Sequence, residues 1–118
     1  MPNHNQFWGA YGEELSSAYL LRHGYQVVAR NWRCHHHEID LIAQNQTTLI
    51  LVEVKLRLVN NFAPAADALS WRKLQQLKRA ANYALYFYHP QDWRYDFIAI
   101  DLNPKNRLAR LCHYRQII

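Results

Sequence analysis

Three charged residues lie within runs of aliphatic side chains that otherwise have the composition of buried strands. They are Asp40, Glu53 and Lys55. Charges inside a sheet are costly unless they are paired or bind a metal. Two carboxylates held together repel each other, and a divalent cation relieves that repulsion by accepting oxygen ligands from both. The lysine adds a positive donor beside them, so the pattern indicates metal-dependent chemistry; the alternative is a surface acid–lysine ion pair.

A predicted hairpin brings these three charges together. Residues 38–44 and 49–57 are rich in β-branched and aliphatic side chains, and they flank the polar tetrad 45–48. Side chains alternate between faces along a strand. A turn at the first two residues of the tetrad places Asp40 diagonal to Glu53, whereas a turn at the middle two places them directly opposite. Either register leaves both acids and the lysine on one face, and a three-residue loop would separate them.

The remaining pattern predicts further elements around this hairpin. They are a helix over 7–23 ending at Gly24, a strand over 25–32, a loop over 58–69 around Pro64, a helix over 71–88 capped by Ser70, and strands over 94–102 and 107–114. Helical spacing predicts inner stripes that include Phe7 or Trp8, and Tyr11, on the first helix and Trp71 on the second. The order predicts an α/β fold with a central mixed sheet flanked by helices, in a single domain spanning residues 1–118.

Composition and charge limit the classes of function. Half of the 118 residues are hydrophobic and 14% are aromatic, which excludes a disordered chain. The net charge of +5 suits an anionic partner such as nucleic acid or a membrane surface. No apolar run approaches the ~20 residues of a membrane span, and the N-terminus lacks a signal-peptide pattern. We therefore expect a cytoplasmic protein with no membrane partner.

The segment from Cys34 to His37 contains one cysteine and three histidines in a row. Zinc ligands need spacing that lets several side chains converge on one ion. In an extended chain, neighbouring side chains point to opposite faces, so at most two of the four could share a metal. The segment therefore favours a polar turn between strands.

Five motifs in chain order carry a family resemblance. They are G-E-E-L-S-S-A-Y-L-L-R-H-G-Y at 12–25, A-R-N-W-R at 29–33, E-I-D-L-I-A at 38–43, L-V-E-V-K-L-R at 51–57 and R-Y-D-F-I-A-I at 94–100. Over roughly residues 7–102 the chain resembles the YraN-like family of uncharacterised bacterial proteins, and it departs from that family at His37 and Ala63, where glycine is usual. That family belongs to the restriction-endonuclease-like superfamily, with its PD-(D/E)xK signature, and is similar to Holliday junction resolvases.

The resemblance implies a restriction-endonuclease-like fold and a metal-dependent endonuclease acting on DNA, with branched or structured DNA and a homodimer as further implications. Mg²⁺ or Mn²⁺ would be the cofactor. The metal ligands would be Asp40, Glu53, the Val54 carbonyl and Glu13, the acid that follows Gly12 in the family's G-E pair.

The same resemblance assigns roles around the metal. Lys55 would orient the attacking water or stabilise developing negative charge, so the catalytic set is Lys55, Glu53, Asp40 and Glu13. Arg57 would hold the scissile phosphate. Lys73, which matches the family's helix-start lysine, and its neighbour Arg72 would contact phosphates, although a solvated basic face is the alternative. Asp96 either supports a lysine or arginine of the site or pairs with Arg94.

A second class of function is a non-catalytic nucleic-acid-binding or protein-interaction module that retains the nuclease fold, because fold does not determine function. Such a module predicts binding without metal dependence. The complete acid–acid–lysine set favours the enzyme, since a chain released from the chemistry has no reason to keep charges inside a sheet.

Overall fold

Among residues 3–60 and 69–118, which the computed structural model describes, five strands form one mixed sheet with a helix on each face. The elements are α1 (His4–Arg22), β1 (Gln26–Cys34), β2 (His37–Asn45), β3 (Thr48–Leu58), α2 (Trp71–Tyr88), β4 (Asp92–Leu102) and β5 (Ala109–Tyr114). The strands lie in the sheet in chain order, with β3 and β4 parallel and the other neighbours antiparallel. This confirms the predicted α/β fold and is compatible with a restriction-endonuclease-like fold.

Apolar side chains pack on both faces of the sheet. The layer beneath α2 contains Ile39, Ile42, Leu49, Leu51, Leu77, Ala80, Ala81, Ala84 and Tyr95. The layer beneath α1 contains Leu20, Tyr25, Leu41, Ala43, Ile50, Val52, Ile98 and Ile100. Odd-numbered residues of β3 therefore face α2 and even-numbered residues face α1, as strand alternation requires.

The hairpin between β2 and β3 takes one of the two predicted registers. Asn45 pairs with Thr48, so the turn consists of residues 46–47, and Gln46 adopts a left-handed φ of 56°. Antiparallel pairing of the two predicted strands is confirmed for residues 41–45 with residues 48–52, and beyond Leu41 and Val52 the two strands no longer pair. Continued by one residue beyond the last paired positions, this register places Asp40 directly opposite Glu53.

Helix α1 begins three residues earlier than the predicted start at residue 7. A capping box explains the difference: Asn3 Oδ1 accepts a hydrogen bond from the Gln6 backbone N–H at 2.8 Å, and Gln6 Oε1 accepts one from the Asn3 N–H at 3.0 Å. These bonds satisfy two backbone donors that a helix start otherwise leaves unpaired. The helix therefore starts at His4.

The predicted inner stripe of α1 is wrong at Phe7 and Tyr11, which are 52% and 40% exposed, whereas Trp8, the alternative to Phe7, is partly buried. The residues buried against the sheet include Gly12, Ser16 and Leu20, which follow each other at four-residue spacing. At Gly12, α1 lies too close to β3 to leave room for an aromatic ring.

Helix α2 has the predicted bounds. Ser70 Oγ accepts a hydrogen bond from the Lys73 backbone N–H at 3.1 Å, which is the expected cap, and His89 ends the helix in the left-handed region before Pro90. Trp71, predicted on the inner stripe, is instead 76% exposed. The predicted inner stripe of α2 is therefore wrong at Trp71, which is the first residue of the helix.

Several boundaries differ from prediction by a few residues. Strand β1 extends to Cys34, which pairs with His37 across the expected turn, and β4 and β5 begin at Asp92 and Ala109. Residues 61–68, which include Pro64 and Ala63, lie outside the described residues, so the loop predicted there is not described. No helix within the described ranges is long and apolar enough to cross a membrane.

Candidate functional site

Asp40 lies at the point where β2 stops pairing with β3. The last paired residues are Leu41 and Val52, and the Val54 backbone N–H donates to Asp40 Oδ2 at 2.8 Å. The Asp40 carboxylate therefore accepts the hydrogen bond that a backbone carbonyl of β2 would accept if the antiparallel pairing continued. This bond holds the carboxylate against β3, beside Glu53.

The other side of Asp40 faces an irregular point in β1. The residues on either side of Asn31 pair with β2 in one register, which places Asn31 opposite Asp40, and Asn31 has a left-handed φ of 49°. Such strain concentrates at functional sites. The Asn31 amide also opposes the rise that burial and Asp40 cause in the pKa of Glu13. We did not predict a role for Asn31; the available signal was a single asparagine, which tolerates this conformation, inside a strand.

Burial and like charge dominate the electrostatics of the acid pair. Burial, followed by a hydrogen bond with Glu53 and the charge of Glu53, raises the pKa of Asp40 to about 7. The Val54 N–H and the charge of Lys73 oppose this rise. Glu53 is only 8% exposed. The two carboxylates therefore repel each other in a partly buried place, and a proton or another cation between them reduces that repulsion.

One such cation is already part of the chain. Lys73 Nζ lies 2.8 Å from Glu53 Oε2, and the Lys73 side chain is 42% exposed while that of Glu53 is 11% exposed. Burial alone would lower the pKa of the Lys73 ammonium, but the hydrogen bond and charge of Glu53, with the charge of Asp40, outweigh burial and raise it. Lys73, predicted to contact phosphate, is therefore bound to a predicted metal ligand.

Lys55 is exposed at the same place. Strand alternation puts it on the α2 face with Glu53, and within residues 3–60 and 69–118 it makes no ion pair. A pocket of about 410 Å³ opens there, and it is lined by Glu53, Val54, Lys55, Leu69, Ser70, Lys73 and Phe97. The structure thus brings Glu53 and two lysines to one accessible pocket, although only Lys55 was predicted as the catalytic lysine.

Glu13 reaches the neighbourhood of Asp40 because α1 lies close to β3 at Gly12. A Cβ at Gly12 would lie 3.0 Å from Leu56 Cβ and 3.5 Å from Val54 Cγ1. A Cβ at this position would press against Leu56, so glycine suits the close approach of helix and strand. Burial, and then the negative charge of Asp40, raises the pKa of Glu13.

The predicted phosphate-binding arginines lie at different places. Arg57 donates from Nε and Nη2 to the two carboxylate oxygens of Asp101, at 3.0 Å each, and this hydrogen bonding lowers the pKa of Asp101. Arg72 is exposed in the first turn of α2. Their roles toward phosphate stay predictions, and for Arg57 the role would require sharing its guanidinium with Asp101.

A buried hydroxyl lies behind the acid pair. Tyr95 is fully buried, and its hydroxyl has no hydrogen-bond partner among the described residues. Burial, and then the charges of Glu53 and Asp40, raises the pKa of Tyr95. This tyrosine was predicted only as a strand residue, and its sequence position in an apolar strand carried no signal of a link to the acids.

Asp96 belongs to a separate network on the α1 face. It accepts hydrogen bonds from Arg94 Nε and from the Gln116 backbone N–H at 3.0 Å each, and His113 Nε2 lies 2.7 Å from it. Arg94 also donates to the Tyr25 hydroxyl at 2.8 Å. Of its two predicted roles, pairing with Arg94 is confirmed, and support of the Glu53 site is wrong because alternation puts Asp96 on the other face.

The donor set suits a hard divalent cation. In the described part of the chain, no three His, Cys, Asp or Glu side chains are arranged to hold a metal. Mg²⁺, however, commonly binds through one or two carboxylates and takes its other ligands from water and phosphate. Asp40 and Glu53 supply two such carboxylates, and the pKa of Asp40 is raised first by burial and then by Glu53, so a cation that neutralises the pair would offset both effects.

Comparison with known proteins places the chain in a family. Residues 12–100 match the model described as "Uncharacterised protein family UPF0102". A "UPF0102 protein" of Caldicellulosiruptor bescii is 32% identical over 106 residues, covering 87% of this chain and 89% of the relative. Similar proteins of the same description occur in Nocardia farcinica (39% identical; 86% and 82% covered) and Chlorobium chlorochromatii (41%; 86% and 80%). The chain belongs to the UPF0102 family, which is the YraN-like family that its sequence motifs resemble.

Proposed function

We propose that this protein is a divalent-metal-dependent endonuclease that acts on DNA, with branched or structured DNA as the preferred substrate and a homodimer as the assembly. The observation that carries the proposal is the Asp40–Glu53 pair, two carboxylates held together by the Val54 N–H and the hairpin register, of which Glu53 lines an accessible pocket. An acid pair that raises its own pKa costs folding free energy, so a role in binding a cation explains why it is present. The net charge of +5 supports an anionic substrate.

The proposed cofactor is Mg²⁺ or Mn²⁺. Asp40 and Glu53 would hold it, with the Val54 carbonyl as a further ligand. Glu13 forms no three-acid cluster with them among the described residues, so its proposed contact with the cation would pass through a water ligand. When bound, the cation supplies Lewis acidity toward the phosphate and the attacking water. Glu13 supports this set because its charge already interacts with that of Asp40.

The protein's own residues would position the substrate. Lys55 lines the pocket beside Glu53, so its ammonium can donate to a phosphate oxygen or to the attacking water as negative charge develops. An oriented donor of this kind stabilises the transition state more than the ground state. Lys55 thus has the role of electrostatic catalyst rather than of metal ligand.

One observation favours the second candidate, a nucleic-acid-binding or protein-interaction module without turnover. Glu53 is paired with Lys73 at 2.8 Å, so part of the acid pair is already compensated within the chain. In that case the acids and lysines would be a structural network, and divalent cations would have no specific effect on stability.

Metal-dependent stabilisation separates the two candidates without knowledge of the substrate. We expect Mn²⁺ to raise the urea midpoint of wild type, because a ligand that binds only the native state stabilises it. Glu53→Ala should remove that stabilisation, whereas Lys55→Ala should keep it and lose only metal-dependent cleavage of junction or flap DNA. Glu14→Ala is a matched control, since Glu14 is an exposed acid on α1 that pairs with Arg30.

A wild-type protein with no Mn²⁺-dependent change across a wide concentration range would contradict the metal site. Loss of Mn²⁺ stabilisation in Lys55→Ala as well as in Glu53→Ala would contradict the division of roles. In the metal-free state, Glu53→Ala should change stability little, because relief of repulsion with Asp40 offsets loss of the partly exposed Lys73 pair.

A further inference from the structure

The position of Lys73 is electrostatically unusual for a lysine. It lies in the first turn of α2, together with Arg72, and this turn contains no acidic residue. The N-terminal end of a helix carries partial positive charge, which disfavours cations. Two basic residues placed there need an anion nearby, and for Lys73 that anion is Glu53.

The ammonium of Lys73 lies where a cation would offset the negative charge of Asp40 and Glu53. Nζ is 2.8 Å from Glu53 Oε2, and the charge of Lys73 also acts on Asp40. Ser70 fixes the backbone of Lys73 through the cap, but the side chain is 42% exposed and borders the same open pocket as Lys55. The long side chain can therefore leave Glu53 and stay within the pocket.

We propose that Lys73 exchanges partners: it neutralises Glu53 while no divalent cation is bound, and it moves to a phosphate group of the nucleic acid when a cation takes Glu53. The inference rests on the proposed function and adds a form of regulation to it. Lys73 and the metal compete for one carboxylate oxygen, since two cations close together repel each other. Full phosphate binding then requires the metal, so metal and nucleic acid bind cooperatively.

DNA-binding measurements with and without a divalent cation test this exchange. Lys73→Met is compared with wild type for binding to a DNA duplex, once in EDTA and once in Ca²⁺, a hard cation with the same preference for oxygen ligands. In EDTA we expect Lys73→Met to lose less than about twofold in DNA affinity, because Lys73 of wild type is then paired with Glu53. In Ca²⁺ we expect roughly a fivefold to tenfold loss and a decrease of about 0.9 in the slope of log affinity against log salt, the contribution of one phosphate contact.

Lys78→Met is the matched control. Lys78 is an exposed lysine on the same helix, so the substitution removes the same charge and adds the same side chain. Any effect of Lys78→Met on DNA binding should be equal in EDTA and in Ca²⁺. An equal loss for Lys73→Met in both conditions would overturn the exchange, because Lys73 would then contact phosphate regardless of the metal.

Metal affinity gives a readout without nucleic acid. Removing a competitor for Glu53 should tighten Mn²⁺ binding to Lys73→Met by about threefold to tenfold, measured by isothermal titration calorimetry, with no change in Lys78→Met. An unchanged or weaker Mn²⁺ affinity in Lys73→Met, with wild type binding Mn²⁺, would overturn the exchange and leave the proposed function intact. Absence of Mn²⁺ binding in wild type would instead contradict the proposed function.

Wild-type protein supplies a measurement that does not depend on the folding of a variant. Amine acetylation, followed by mass spectrometry, reports how freely each lysine reacts. Mn²⁺ should increase the acetylation rate of Lys73 severalfold, since it loses its ion pair, and leave that of Lys78 unchanged. A purely structural Lys73–Glu53 pair predicts no effect of Mn²⁺ on either rate.

Discussion

Asp40→Asn should stabilise the metal-free protein above neutral pH. Asparagine has the shape of a protonated aspartate, so its Oδ1 can still accept the Val54 N–H bond and its amide can donate to Glu53. It removes the negative charge that burial and Glu53 disfavour. The variant therefore imitates the protonated state of Asp40 at every pH.

The magnitude follows from the pKa of Asp40, which is about 7 in the folded protein against a usual value of 3.8. Between these values the folded state keeps a proton that the unfolded state releases, so stability falls as pH rises from about 4 to 7 and then levels off. At roughly 1.4 kcal/mol per pKa unit, the upper limit is roughly 4 kcal/mol. Because the carboxylate keeps partial exposure, solvent screening reduces this, and we expect on the order of 2 kcal/mol.

Urea denaturation in EDTA at pH 5, 6, 7 and 8, followed by tryptophan fluorescence, measures the effect. The stability of Asp40→Asn relative to wild type should increase across this range, and the difference between the two proteins cancels the titration of the seven histidines. Glu38→Gln is the control, since Glu38 lies on the same strand and its contact with Arg33 at 3.7 Å is largely exposed. The change of the stability difference between pH 5 and pH 8 should be larger for Asp40→Asn than for this control.

A pH-independent difference between wild type and Asp40→Asn would refute the reasoning, because it would mean that Asp40 is ionised at no cost. Mn²⁺ adds a second check. It should recover the lost stability of wild type at pH 8 and have little effect on Asp40→Asn, which lacks one of the two proposed carboxylate ligands.

Two further predictions concern the elements that position the site. Gly12→Ala should lower the free energy of unfolding by about 1–2 kcal/mol, because its Cβ would lie 3.0 Å from Leu56 Cβ. Gly9→Ala, whose Cβ would have no atom within 4 Å, should instead raise it by up to about 1 kcal/mol through helix propensity. Equal urea midpoints for the two variants would contradict this. Asp96→Asn should cost about 3 kcal/mol at pH 7 by breaking a buried charge network. Burial alone would raise the pKa of Asp96, but hydrogen bonds from His113, Gln116 and Arg94 outweigh it and lower the pKa, so the stability that its ionised form adds is present above about pH 4. That stability should be lost as pH falls through the lowered pKa of Asp96. If urea denaturation showed the same stability difference between wild type and Asp96→Asn at acidic and at neutral pH, the prediction would be wrong.

The sequence by itself determined the elements and the hairpin that carries the acids. Alternation of apolar and charged residues is a local signal with period two, so it specified which side chains of β2 and β3 share a face. The tetrad between the strands limited the register to two choices. Residue chemistry alone then singled out Asp40, Glu53 and Lys55, which the structure brings to one face.

Tertiary structure decided everything that depends on the distance between separate elements. Helical periodicity predicted apolar stripes on α1 and α2, but it could not show that α1 lies so close to β3 that Gly12 and Ser16 face the sheet while Phe7 and Tyr11 are exposed. The same limit applies to α2, where Trp71 stands at the first helical position and remains exposed.

The partner of Lys73 was also decided by tertiary structure. In the sequence, Lys73 and Arg72 are two neighbouring basic residues of one helix, and both were predicted to contact phosphate. Folding places one ammonium 2.8 Å from Glu53, twenty residues earlier in the chain, while its neighbour stays exposed. Charge is a property of the residue, but the ion pair it forms depends on which distant carboxylate the packed helix brings within reach.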